Sequence, residues 1–456
     1  MKLKQKIVNL LSHFESVRIT FFDNFDGLAS SRRNLILGSF CGTSFSNLVG
    51  GIFFTSLILL MLEGTDTVTQ NNFLGTVSMM GFALGLTQLI APLIMERFPK
   101  RKKLLLILRA FYHLLNIVLI GFVPILPVSS LAKRWIFMII YVIFSLITQI
   151  SASAFSVWHV GDLPNRVRAN YFSIVNMVSP IISSVIATSA SFFIDIATAG
   201  GWKFWGLMIL RVPALLFGVL EIIAFSKIEE PDYEPAPKIN PIKMMTLPFT
   251  TPRYLLTVLI VCIYSFGANF TGQYFTAYIL EDVKLSYALI SGLSILNIPI
   301  SLLVYPIWSK VIGRLSWMKT LSIATILYMT PYILNFLTTA DAWVLFVISN
   351  ITAFLFGPGI TLVFSNIPYM NIPATNQTSY ISFYSTCNNL AAFLGSTVCR
   401  FFVEAMGTNT FNILGSTFQV RQVINLLPCC TLILTSLTAM VVERSNKKHE
   451  LLEAKG

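Results

Sequence analysis

Apolar runs separated by short polar stretches recur along the whole chain. Each run is close to the roughly 20 predominantly apolar residues that a helix needs to cross a bilayer. Twelve such runs stand near 35–62, 73–95, 104–127, 134–158, 170–196, 202–226, 254–280, 286–310, 317–338, 342–366, 379–405 and 420–442. The stretch between the sixth and the seventh carries Glu229, Glu230, Asp232 and Glu234 together with six prolines. Such a segment neither continues a helix nor buries much apolar surface, so it reads as a linker. The expected organisation is an amino-terminal segment (1–34), a six-helix bundle (35–226), a linker (227–252), a second six-helix bundle (253–442) and a tail (443–456). The predicted class is an all-α membrane protein of twelve transmembrane helices in two bundles.

Composition agrees. Hydrophobic residues make up 55% of the chain and charged residues 11%, against about a quarter charged in soluble domains. The formal charge of +12 sits in short loops rather than on a soluble domain, so it speaks for membrane orientation and against nucleic acid. The amino terminus, the loops after the even-numbered runs and the carboxyl terminus hold 24 Lys and Arg, while the other loops hold five. That bias predicts both termini in the cytoplasm of a multi-pass protein in the inner or plasma membrane. Leu3, Ile7, Leu10, Leu11, Phe14 and Val17 recur at helical spacing, as in a helix lying on the inner leaflet. Lys2, Lys4 and Lys6 are followed by no uninterrupted apolar core and no small-residue cleavage site, so no cleaved leader is expected. Six cysteines, none in a CxxC pair, read as small packing residues.

Two loops repeat. Pro92 to Lys102, with Glu96, Arg97, Lys100 and Arg101, is echoed 214 positions later by Pro306, Gly313 and Arg314. Asp162-Leu163-Pro164, with Arg168 and Tyr171, is echoed at 209 positions by Asn371-Ile372-Pro373 and Tyr380. Both pairs fit one duplication of a six-helix unit. The first loop resembles the signature of the major facilitator superfamily, Gly-x-x-x-Asp-Arg-x-Gly-Arg-Arg/Lys, with Glu96 at the acidic position and prolines 92 and 99 in place of the glycines. The resemblance implies two bundles related by pseudo-two-fold symmetry and transport by alternating access. It also implies a gate in which Glu96 approaches the start of the eleventh helix near Thr378, with Arg97, Lys100, Arg101, Arg168 and Arg314 around it.

The resemblance further implies a cavity between helices 1, 4, 7 and 10, near mid-depth. Polar candidates there are Asn47; Gln149 with Ser151 and Ser153; Asn269, Gln273 and Tyr274; and Asn350, Thr352 and Phe354. Amides that both donate and accept, beside aromatic rings, suit an uncharged polyol such as a sugar or nucleoside. Gly357-Pro358-Gly359 predicts a kink in the tenth helix. Among intramembrane charges, Arg109 is expected to snorkel outward, Arg400 and Glu404 to pair locally, and Arg211 to find a structural partner such as Asp195. His113 reads as a packing residue. No acidic residue stands at mid-depth on helices 1, 4, 7 or 10, and Glu221 falls near the cytoplasmic end of helix 6.

No nucleotide-binding loop, HExxH motif or Cys/His metal cluster occurs, so no enzyme, cofactor or metal is expected. The reading is a secondary transporter of a small polar organic solute, a sugar foremost, acting as a monomer in the lipid bilayer with its coupling ion undetermined. An efflux carrier for lipophilic compounds and a non-transporting receptor with the same fold remain as alternatives.

Overall fold

The computed structural model describes residues 29–89, 94, 98, 100–161, 165–228, 230, 246–367, 377–407, 409–413 and 416–453. Twelve helical crossings follow in chain order. Helix α1 comes in two pieces, α1a (Ala29–Val49) and α1b (Gly51–Met61). Helix α2 (Thr67–Gly85) ends in a 3₁₀ turn, and α3 (Lys102–Leu114) runs on through a π-helical turn at Leu115–Leu119. Then come α4 (Ser130–Gly161), α5 (Asn165–Ala199) and α6 (Lys203–Ser226). The second six begin with α7a (Pro252–Ala268) and α7b (Gly272–Glu281), followed by α8 (Tyr287–Leu315). Helix α9 is split into α9a (Trp317–Leu327) and α9b (Met329–Leu337), and α10 is Val344–Asn366. Helix α11 (Gln377–Met406) leads through a hairpin, β1 (Thr410–Ile413) and β2 (Ser416–Gln419), to α12 (Leu427–Glu453). The sequence pattern did not predict this hairpin.

Over the described residues, ten of these helices are long and apolar enough to cross a membrane by length and composition alone. The other two, α2 and α11, are diluted by amides and hydroxyls such as Asn71, Asn72, Thr386 and Asn388. They pack on each other across the two halves of the chain, as α5 packs on α8. Polar side chains are tolerated there because the facing helix shields them from lipid. The lipid-facing surface is the reverse: Leu303 is 72% and Val212 68% exposed.

The first helix of each half is broken. Gly51 (φ +53°) follows Val49 and Gly50, and Gly272 (φ +40°) follows the non-helical Asn269–Thr271. Both φ values lie in the left-handed region that glycine adopts at little cost. Proline 358 lies within a continuous α10, without interrupting it.

Odd-numbered helices begin, and even-numbered helices end, on the membrane side where the described chain starts; this is the near side below. Glu63, Asp66, Lys203 and the β-hairpin mark the far side.

Candidate functional site

Helices α3 and α6 cross the membrane side by side, and their facing residues carry charge. Glu221 is 2% exposed. Its carboxylate accepts from Arg109 Nη2 at 2.8 Å and from Arg109 Nε at 3.1–3.2 Å, and it lies 2.7 Å from His113 Nε2. Arg109 and His113 reach it together because they are one helical turn apart on α3. The guanidinium also lies over the rings of Tyr112 (4.9 Å) and Phe155 (5.9 Å). A Cβ at Gly42 of α1a would collide with Glu221 Oε1. The absence of a side chain there lets the carboxylate lie directly against the α1a backbone.

Arg109 therefore does not snorkel: its counter-ion is on α6, and a buried ion pair is held in place of a trip to the interface. Arg211, farther along the same face of α6, departs from expectation too. Its Nη1 donates to Asn116 O (2.6 Å) and Ile117 O (3.2 Å), both in the π-helical turn of α3. That turn breaks the regular carbonyl ladder and turns main-chain acceptors toward the arginine. Asp195 is engaged elsewhere: it accepts from Tyr287 N (2.8 Å) and Ala288 N (2.7 Å), the first amides of α8, where a carboxylate complements the helix dipole. Arg400 and Glu404 do approach, at 4.0 Å.

Beside the Arg109–Glu221 pair opens a cavity of about 410 Å³. Helix α1a contributes Ser39, Gly42, Thr43, Ser46 and Asn47; α4 contributes Thr148, Ser151 and Phe155; Arg109, Glu221 and Phe225 complete it. All but Ser46 and Asn47, which stand near mid-depth of α1, lie in the near-side halves of their helices. Several polar groups are partly spent on the backbone. Thr148 and Ser151 hydroxyls donate to the carbonyls of Phe144 (2.9 Å) and Ile147 (2.6 Å). Asn47 Nδ2 donates to Thr43 O (2.8 Å), while its Oδ1 accepts from Ser183 (2.7 Å). What these groups still offer the cavity is chiefly oxygen lone pairs.

Among the described residues, hydrogen bonds between the two halves gather at the far side. Thr55 of α1b donates to Gln273 Oε1 of α7b (2.9 Å), and Ser56 meets the Tyr287 hydroxyl (2.6 Å). Arg421, just before α12 and 4% exposed, donates to Asn71 of α2 (2.8 Å) while pairing with Glu281 (2.8 Å) and Asp282 (3.2 Å) at the end of α7b. Ser191 and Ser291 close the α5–α8 seam at 2.6 Å.

The candidates from the sequence are thus distributed over different places. Asn47 and Ser151 line the cavity. Gln149 is half-buried on α4. Gln273 belongs to the far-side contact, and Tyr274 is buried among α7b, Gly75 and Arg400. Asn269 and Asn350 each donate to the carbonyl four residues back, at 2.7 and 2.8 Å, and Phe354 is half-buried on α10. Of the gate residues, Glu96 and Arg97 lie outside the described residues, and Arg168 is on the first turn of α5. Lys100 and Arg314 are exposed. The Arg101 amide donates to Glu230, which also accepts from Lys102 N (2.9 Å) and so caps α3. Arg109, His113, Glu221 and Arg421 were the residues that the sequence reading undervalued. The spacing of 109, 113 and 116 on one helix face against 218 and 221 on another was the available signal.

The fold is similar to that of solved transporters. The nucleoside transporter NupG matches at TM-score 0.60 and 12% identity over 92% of this chain and 99% of that one. A D-xylose-proton symporter matches at 0.63 and 12% over 90% and 96%. A bacterial homologue of the iron transporter ferroportin, in an inward-facing state, matches at 0.65 and 12% over 91% and 99%. No curated protein sequence matches the chain. Residues 39–396 match the model of the Major Facilitator Superfamily, and with twelve helices in two six-helix halves the chain is a multi-pass membrane transporter of that superfamily.

Proposed function

We propose that the chain carries a small, uncharged, hydroxyl-rich solute, a sugar or nucleoside in class, across the inner or plasma membrane by alternating access. The near side is then the cytoplasm, in keeping with the distribution of Lys and Arg, and the far-side contacts among the described residues support reading the arrangement as inward-open. The observation that carries this reading is the cavity of about 410 Å³. It has room for a small solute, and the groups of Asn47, Thr148 and Ser151 turn mainly acceptors toward it. A polyol supplies the matching O–H donors, and the Phe155 and Phe225 rings offer apolar faces to a sugar or base. Among the described residues the wall holds one cation and one anion, Arg109 and Glu221, which neutralise each other and favour an uncharged solute.

Purified protein is tested by thermal stability against sugars, nucleosides, amino acids, peptides and lipophilic cations. A ligand at a hundred times its Kd adds about 2.7 kcal/mol to the folded state. Stabilisation confined to sugars or nucleosides and reduced by Ser151→Val, with saturable uptake of the same compound into proteoliposomes, is the expected result. Stabilisation by lipophilic cations alone would replace this reading with the efflux carrier.

A further inference from the structure

We propose that the His113–Glu221 pair is a reversible proton site that couples the carrier to a proton gradient, an inference that rests on the transport reading above. Three features of the molecule carry it.

The first is what occupies the same place in the second half. There α9a and α12 meet through Ser322 and Ser436, hydroxyl to hydroxyl at 2.7 Å. Ser322 stands 213 positions after Arg109 and Ser436 stands 215 after Glu221, matching the 214 of the loop repeat. Apart from Ser316, which donates to Glu443 where these helices meet at the near side (2.9 Å), two serines hold that helix pair together at the matching depth, so packing there does not call for a carboxylate, a guanidinium and an imidazole. An ionisable group buried within a membrane protein is costly, and among the described residues the trio of carboxylate, guanidinium and imidazole stands at this depth in one copy alone, which points to a task.

The second is the chemistry of the trio. While Glu221 is ionised its oxygens only accept, so His113 Nε2 carries the hydrogen and Nδ1 holds a lone pair. His113 is 3% exposed, and Nδ1 has no hydrogen-bond partner among the described residues. A histidine with a purely structural role has its tautomer fixed by a bond at the second nitrogen. Here the tautomer is set by Glu221 alone, with no bond at Nδ1 among the described residues to hold it when the carboxylate changes. The ring is free to turn from donor to acceptor at Nε2, its hydrogen moving to Nδ1, when Glu221 becomes a neutral acid. In that step a hydronium ion in the cavity gives up a proton and becomes water, an O–H bond forms on the carboxyl, and the Arg109 guanidinium loses its counter-charge until the proton leaves. The groups facing the carboxyl are Arg109, Tyr112 and His113 from α3 and the Cys41 thiol from α1a.

The third is access. Arg109 and Glu221 are themselves part of the cavity wall. Helix α1a, which supplies Ser39, Thr43, Ser46 and Asn47 to that wall, rests on the carboxylate at Gly42. A solute that moves α1a about the break at Gly50–Gly51 therefore changes how the carboxyl meets water.

The test is pH-difference infrared spectroscopy on the full-length protein in liposomes, between about pH 5 and pH 8, where histidine-linked protons exchange. The expected result is one protonated-carboxyl C=O stretch that titrates in this window. It should be lost in the double variant Arg109→Gln/Glu221→Gln, which keeps the net charge and shape of the seam, and shift its midpoint in His113→Gln. Absence of a titrating carboxyl in the wild type, or a band that persists in the double variant, overturns the proposal. Because the readout needs no solute, a titrating band without sugar or nucleoside uptake faults the substrate reading. Uptake without a titrating band faults the proton site.

Discussion

Helices α3 and α6 meet across an ion pair, whereas α9a and α12, their duplicates, meet at the matching depth across two serines, with Ser316 and Glu443 joined nearer the membrane face. The two serines satisfy each other, while in the charged seam His113 Nδ1 has no partner among the described residues. The serine seam shows how little polarity the fold requires, since a hydroxyl pair binds two membrane helices at a cost the lipid tolerates. The charged seam exceeds that requirement and depends on every member remaining paired. A pair of this kind is a weak source of net stability but a severe loss when half of it is removed.

The largest contrast is therefore expected between Glu221→Ala and Ser436→Ala. Removing the carboxylate leaves the half-buried Arg109, 23% exposed toward the cavity, and the buried His113 without their shared partner, and is expected to cost about 3–5 kcal/mol. Removing one hydroxyl should cost about 1 kcal/mol. Thermal unfolding in detergent reads both, and equal losses would erase the distinction between the seams. Arg421→Gln is expected to cost about 2–4 kcal/mol, below the full price of orphaning buried charges because Glu281 and Asp282 are 33% and 29% exposed. It should also open the far side, measured as faster alkylation of a cysteine placed by Gln70→Cys. An unchanged alkylation rate would reduce Arg421 to a local contact within the second half. Gly42→Ala should cost about 1–3 kcal/mol by forcing α1a off Glu221, whereas Gly313→Ala meets open space and should be nearly silent. A double-mutant cycle on Thr55→Ala and Gln273→Ala should return a coupling of about 0.5–1 kcal/mol. Smallest is Asp66, the cap of α2, whose carboxyl is held below the usual carboxylate range by its hydrogen bonds with Thr69. A depressed carboxyl contributes above its unfolded value and loses that contribution as pH falls through the folded one. Asp66→Ala should therefore lower Tm slightly at neutral pH and not at all in acid.

The twelve crossings were legible because apolar length is nearly sufficient to define a membrane helix. Even α2 and α11, the polar pair, were found, since enough apolar residues surround Asn71 and Asn388. Short-range features were legible as well, such as the Arg400–Glu404 contact one turn apart. What escaped was pairing across sequence. Arg109 and Glu221 are 112 positions apart, and only the order in which helices pack brings them together. Arg421 read as a loop charge because it sits beside a hairpin that no apolar period announces, yet it lies buried between the halves. Arg211 found main-chain carbonyls rather than Asp195, through a π-helical turn at Leu115–Leu119 whose residues are those of any apolar helix. The π-helical turn coincides with the contact to Arg211, 95 positions away in sequence, and no local pattern announces it.

The breaks in α1 and α7 have a mechanical consequence. An unbroken helix is a stiff rod, and tilting one end would lever the other through an equal angle. Divided at Gly50–Gly51 and at Asn269–Thr271, each rod becomes two short beams on a joint that transmits little torque. In α1 the piece bearing the cavity can then swing while the piece bearing Thr55 stays seated against Gln273 of α7b. A vessel whose inner door turns without straining the hinge of its outer door does not leak while it empties.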